Sequence, residues 1–227
     1  MTIKGQDLRN HPIFSSLSEA RREKFFQLAA FKRYRKGETI VHLGDIWQYL
    51  LYIQDGEIEA QKTSAEGRNL VVASFHSGDV FWGIAFFKPE IPMIASLTAS
   101  QDSELALWKR EDVIPLIKEE GAFSWALACL MAERMAHASA ILEEMTFQPV
   151  ASRLAKLLIA TARQDTNAPI TRSLTLDEMA ARTGTTREMI CRFLHRFADE
   201  GIIDITRTEY RITDTARLND MAGTSKG

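Results

Sequence analysis

With 227 residues, of which 45% are hydrophobic and 26% charged, the chain can hold one large domain or two small ones with packed cores. A net charge of −2 argues against indiscriminate binding to nucleic acid, and the split into roughly +2 after Ala151 and roughly −4 before it is a weak asymmetry. MTIKGQDLRNHPIF has no apolar signal core and no run of eighteen apolar residues occurs, so a cytoplasmic protein without a membrane span is expected.

Leu17 to Ala30 reads as a short helical segment beginning at Ser18. From Gly37 to about Glu111 the pattern changes to short alternating runs broken by glycine, the signature of strands and turns. Gly44-Asp45, Asp55-Gly56, Glu66-Gly67 and Gly78-Asp79 recur at roughly ten-residue spacing, the rhythm of a small antiparallel roll. Phe81, Trp82, Ile84, Phe86, Phe87, Ile91, Met93 and Ile94 either line an apolar cavity or fill a core, and the sequence leaves both open.

From about Phe123 to Met145 one long helix is expected. Ala128, Met131, Met135, Ala138, Leu142 and Met145 follow the three-four spacing of a parallel dimer seam. Beside them run Leu127, Leu130, Arg134, His137 and Ile141. Pro149 ends or kinks this helix, so Phe147 to Pro149 is expected to act as a hinge before the next helix, Val150 to Ala162. Thr175 caps a short helix and pairs with Glu178 in a Thr-x-x-Glu capping box. Gly184 supplies the turn, and Thr185 and Thr186 open a second helix. Met189, Ile190, Phe193, Leu194 and Phe197 make its buried face, and the other face carries Arg187, Glu188, Cys191, Arg192, His195 and Arg196. A strand pair after Gly201, with a Thr206-Arg207-Thr208-Glu209 tip, completes a winged helix-turn-helix. Cys129 and Cys191 fall on separate predicted helices, which fits a reducing compartment. With no nucleophile–base pair, metal-ligand cluster or phosphate loop, neither an enzyme nor a metal site is expected.

These residues resemble the CRP/FNR family of bacterial transcription regulators over nearly the whole chain. Arg187, Glu188 and Arg192 match that family's Arg-Glu-x-x-x-Arg recognition pattern. The resemblance implies an α+β protein with an N-terminal antiparallel β-roll of the cyclic-nucleotide-binding jelly-roll kind (1–120), whose turn glycines would be Gly37, Gly44, Gly56, Gly67, Gly78 and Gly83. A long dimerisation helix with a hinge (121–148) and a C-terminal winged helix-turn-helix (149–227) follow. It also implies a homodimer on a palindromic TGTGA-like operator, with RNA polymerase as a further partner. Arg187, Glu188 and Arg192 would read bases, while Thr175, Thr186 and Arg207 would hold phosphates.

The effector site departs from the cyclic-nucleotide branch. Ile84 follows Gly83 where those members have a ribose-binding Glu. Met93-Ile94-Ala95-Ser96 occupies the phosphate-arginine region, and no Lys or Arg lies between Lys88 and Lys109. Cyclic AMP is therefore not the expected effector. No cysteine precedes Cys129, which excludes an iron-sulfur cluster of the oxygen-sensing kind. Haem stays open, although Phe81-Trp82-Gly83-Ile84 stands where the carbon-monoxide-sensing branch has a histidine. Trp82, Ile84, Phe86, Ile94 and His137 are the expected pocket residues for an unidentified apolar or haem effector. His137-Ala138 would occupy the positions of the base-contacting Thr-Ser pair. The alternative is a constitutive DNA binder with a filled roll.

Overall fold

The computed structural model describes residues 9–162, 170–171, 174–206 and 209–223. The chain divides into two compact units, Met1–Lys62 with Val72–Ala138, and Thr63–Val71 with Ser139–Gly227. Among the described residues no helix is long and apolar enough to cross a membrane.

In the first unit, α1 (Pro12–Ser15) and α2 (Glu19–Gln27) precede the strands of the roll. These are β1 (Ala30–Tyr34), β2 (Thr39–Val41), β3 (Tyr49–Asp55), β4 (Glu57–Thr63), β5 (Asn69–His76), β6 (Val80–Trp82), β7 (Ser96–Ala99) and β8 (Ser103–Lys109). They form two sheets, β1-β8-β3-β6 and β2-β7-β4-β5. Ala30 pairs with Leu107, and Leu51 with both Phe81 and Leu107, in antiparallel register.

β3 and β8 read as nearly continuous apolar runs because both of their faces are covered. Leu51, Ile53, Leu105 and Leu107 enter a core shared with Ile58 and Leu97 of the other sheet. Leu50, Tyr52, Ala106 and Trp108 face the helical layer, where they meet Phe14, Phe25 and Phe123. Trp108 stacks on Phe25 at 4.7 Å with an interplanar angle of 8°, and its Nε1 donates to the Phe25 carbonyl at 2.8 Å. The bond satisfies the one polar atom of a fully buried indole.

Gly56 has a φ of 93°, and a Cβ there would collide with Ser103 Oγ and the Asp102 carbonyl. Only glycine fits this hairpin. Gly83 differs from the turn glycines with which the resemblance groups it. Its φ is −82°, in the extended region, and what it provides is room, since a Cβ would stand 2.6 Å from Met93 Sδ.

After α3 (Arg110–Glu119), α4 (Gly121–Phe147) is the long helix expected from the stripes. Phe123 and Leu127 bury its first turns against the roll. Met131, Met135 and Leu142 of the seam are exposed on the chain, at 43%, 72% and 68%. Met145, placed in the same seam by its spacing, is half-buried and lies against Gly184 instead.

The second unit contains α5 (Val150–Thr161), β9 (Ile170–Thr171), α6 (Leu176–Thr183), α7 (Arg187–Asp199), β10 (Ile203–Ile205), β11 (Glu209–Ile212) and α8 (Thr215–Met221). The strands make a small sheet in the order β10-β11-β9. Leu154, Leu158, Ile190, Leu194, Phe197 and Ile203 form its core. The architecture is thus α+β, with a roll, a long helix and a helix-turn-helix in that order.

Arg153 of α5 is buried and ends the long helix chemically. Its Nη1 donates to the Gln148 carbonyl at 2.5 Å and reaches those of Glu144 and Met145 at 3.4 Å. Its Nε donates to the carbonyl of Thr183, the last residue of α6, at 2.9 Å. Carbonyls at a helix end have no partner within the helix, and a cation there also meets the negative end of the helix dipole. We expect Arg153→Met to lower unfolding free energy by about 2–4 kcal/mol, because it removes the donor to the buried Thr183 carbonyl and to the part-buried Gln148 carbonyl. Urea titration showing wild-type stability would mean that these bonds contribute nothing.

Candidate nucleic-acid interface

The helix-turn-helix is set by local chemistry that the sequence already displays. Thr175 Oγ1 accepts from the Glu178 N–H at 3.2 Å, and Glu178 Oε2 accepts from the Thr175 N–H at 2.6 Å, closing the capping box. Gly184 ends α6 with φ 63° and ψ 42°. The Thr185 N–H then returns to the Ala180 carbonyl at 3.0 Å. A Cβ on Gly184 would lie 2.8 Å from Met145 Sδ, so the turn is tight against the end of α4. Thr186 caps α7, its Oγ1 accepting from the Met189 N–H at 3.3 Å.

α7 buries Ile190, Leu194 and Phe197, while Met189 and Phe193 are half-buried. The opposite face holds the expected base-reading residues together. Arg187, Glu188 and Arg192 are exposed, with side-chain exposures of 66%, 80% and 65%. Arg192 Nη2 lies 3.0 Å from Glu188 Oε1, one helical turn back. Arg187 Nη1 lies 3.2 Å from Asp177 Oδ2 on α6. Exposed ion pairs of this kind are worth about 0–1 kcal/mol, so they orient the side chains without locking them. Arg196 is turned toward Phe193, its guanidinium 4.9 Å from the ring centroid. On the same helix, Cys191 Sγ lies 3.6 Å from His195 Nδ1.

Of the expected phosphate holders, Thr175 and Thr186 are exposed at the N-termini of α6 and α7. Each hydroxyl oxygen is occupied as an acceptor from the helix backbone, so its proton is available to donate to a phosphate. Arg207 lies outside the described residues.

The roll contains a second feature, an apolar cavity of about 290 Å³. β4 contributes Ala60 and Lys62, β5 Val72 and Phe75, β6 Trp82, and the segment beyond it Ile84, Met93 and Ile94. Trp82, Ile84 and Ile94 were expected there. Phe86 is instead fully buried in the helical-layer core with Trp108, and His137 is exposed on α4 and does not line the cavity. The α4 side chain that reaches these rings is Arg134, whose guanidinium stands 4.6 Å from the Trp82 centroid and 5.3 Å from that of Phe75. It also donates to the Val80 carbonyl. Burial holds its pKa below the ordinary arginine range, against the opposing pull of Asp79 and Glu133. The signal in the sequence was a lone arginine in an otherwise largely apolar stripe.

Residues 31–120 match the cyclic nucleotide-binding domain, and residues 152–221 the Crp-like helix-turn-helix domain. The cyclic AMP receptor protein of Thermus thermophilus is 29% identical over 217 residues, covering 95% of this chain and 98% of that one. Among solved structures, the c-di-GMP responsive global regulator CLP of Xanthomonas campestris superposes with a TM-score of 0.75 at 19% identity. It covers 87% of this chain and 100% of that one. A CRP/FNR-family transcriptional regulator from Thermus thermophilus gives 0.70 at 21% identity, with coverage of 87% and 100%.

Gly184→Ala tests the turn. A side chain at positive φ costs about 1–2 kcal/mol, and the contact with Met145 Sδ adds to it. Thermal melts should show a lower midpoint than wild type, with Gly184→Asn less affected because asparagine tolerates this conformation. Equal melting of all three proteins would contradict the assigned geometry.

Proposed function

The chain belongs to the CRP/FNR family of transcription regulators, and from that premise we propose that it is a homodimer on a palindromic operator, controlled by an effector other than cyclic AMP. The observation that carries the DNA half is the exposed Arg187–Glu188–Arg192 group at the start of α7, opposite that helix's buried face. Arginine forks match guanine N7 and O6 in the major groove, and a carboxylate accepts from cytosine N4. The half-site is then TGTGA-like, with Glu188 on the strand opposite the guanines. Thr175, Thr186 and Arg207 hold phosphates and fix register. Residues 149–227 bind DNA, 121–148 dimerise, and 1–120 sense the effector, with RNA polymerase as the partner that the family brings.

Dimerisation is supported by Met131, Met135 and Leu142, three large apolar side chains exposed along one helix. A two-fold dimer requires an inverted repeat in its operator. The effector reading is supported by the departures around Gly83 and by the apolar cavity. The described lining offers the Met93 thioether but no histidine or cysteine, which favours a small organic molecule over haem. One relative is named for cyclic AMP and one structural neighbour for c-di-GMP, so proteins of this fold answer to more than one ligand. Effector binding would shift a pre-existing equilibrium between DNA-competent and incompetent dimers.

The double substitution Met135→Glu with Leu142→Glu should give monomers that lose operator affinity. Sedimentation showing an intact dimer would remove the seam. Arg192→Ala should cost about 1–3 kcal/mol on the cognate site and relax selectivity at one guanine. In vitro selection is the readout, and an unchanged base preference or the absence of any inverted repeat would sink the assignment.

A further inference from the structure

We propose that the effector is a small apolar carboxylic acid, its hydrocarbon or aromatic body filling the cavity of the roll and its carboxylate paired with Arg134 of α4. The proposal rests on the effector reading above and specifies the ligand's chemistry. The cavity sets the body. Its walls are hydrocarbon, aromatic ring and thioether, and Lys62 is the one ionisable side chain among the described lining residues. A ligand rich in hydroxyls or ring nitrogens would strand them against such walls, at about 1–3 kcal/mol for each unpaired group. At about 290 Å³ the space lies at the small end for ligand pockets.

Arg134 sets the head. Its guanidinium lies over Trp82 and Phe75, both of which line the cavity. One of its donors goes to the Val80 carbonyl. Asp79 and Glu133 act on it at long range, but among the described residues no carboxylate comes within ion-pair distance. Of the five donors of this half-buried guanidinium, one is taken by the Val80 carbonyl, which leaves others to meet a ligand, and stacking on aromatic faces offsets only part of its desolvation. The planar fork is matched by a carboxylate, which can take two parallel hydrogen bonds. Lys62, exposed on β4, adds a second positive charge at the cavity. Arg134 also lies on the same helix as Met131 and Met135, within one turn of each. Drawing its head group toward a ligand would therefore act directly on the helix that carries the seam.

The test uses the full-length protein and titrates hexanoate, octanoate, decanoate and phenylacetate, each beside the matching primary alcohol, with cyclic AMP as a further arm. Calorimetry and thermal shift read binding to the wild type, Arg134→Met and Arg134→Lys. We expect at least one acid to bind about tenfold or more tightly than its alcohol, Arg134→Met to bring the acid down to the alcohol's affinity, and Arg134→Lys to recover part of the difference. The wild-type acid and alcohol comparison stands even if the methionine variant does not fold. Alcohols binding as well as acids, or unchanged acid affinity in Arg134→Met, would overturn the carboxylate assignment while leaving an apolar effector in place. Cyclic AMP binding in the absence of acid binding would overturn both. If none of the probes binds, both fall in favour of a filled roll.

Discussion

The placement of α7 depends on one guanidinium. Arg153 donates to carbonyls at the end of α4 and to the carbonyl that closes α6, so a single side chain joins the long helix to the turn before α7. Pro149 stops α4 but satisfies none of its carbonyls, since proline has no N–H to give. Without Arg153 the Gln148 and Thr183 carbonyls would lose the donor that serves them here. Met145 adds a packing contact against Gly184 in the same region, and Lys156 pairs with Glu144 at 3.4 Å. The expected hinge at Phe147 to Pro149 is therefore bridged by side-chain bonds, and the compact unit holding the helix-turn-helix takes in α4 from Ser139 onward.

Much of this was readable in the sequence where the signal is local. The Thr175–Glu178 box, the Gly184 turn and the two faces of α7 depend on residues a few positions apart, and each appears as expected. What escaped depends on which neighbour covers a face. Periodicity put Met145 in the seam, because spacing gives a direction around the helix and says nothing of Gly184 beyond it. Phe86 closes a single 3-10 turn, Ile84–Phe86, which follows β6 and breaks its alternation, and it lies with Trp108 instead of the cavity. Arg153 and Arg134 resemble ordinary solvated arginines in sequence. Their burial follows from acceptors supplied by distant backbone, the Thr183 and Val80 carbonyls.

The ion pairs on the α6–α7 surface bear on how a chain with a net charge of −2 can discriminate among sequences. Arg187 and Arg192 already have carboxylate partners, so in the proposed operator complex contact with DNA would exchange one set of bonds for another. The exchange is favourable only where a base edge offers a better-matched pair of acceptors than the exposed carboxylate does. Phosphates alone would reward it weakly, and non-specific affinity would stay low.

The sheet order of the roll also governs how the protein is made. β1 pairs with β8 along its whole length, from Ala30 opposite Leu107 to Tyr34 opposite Ser103. During synthesis β1 and β3 must therefore wait, with unpaired edges and apolar faces, until β8 has left the ribosome, because loop closure has to precede the contacts that reward it. In the unit that follows, α5 is joined to β11 by bonds spanning 49 and 52 residues, from Thr161 and Leu158 to Tyr210. The amino-terminal roll is thus the slower-folding half and the one exposed to misassociation while nascent, although it is translated first.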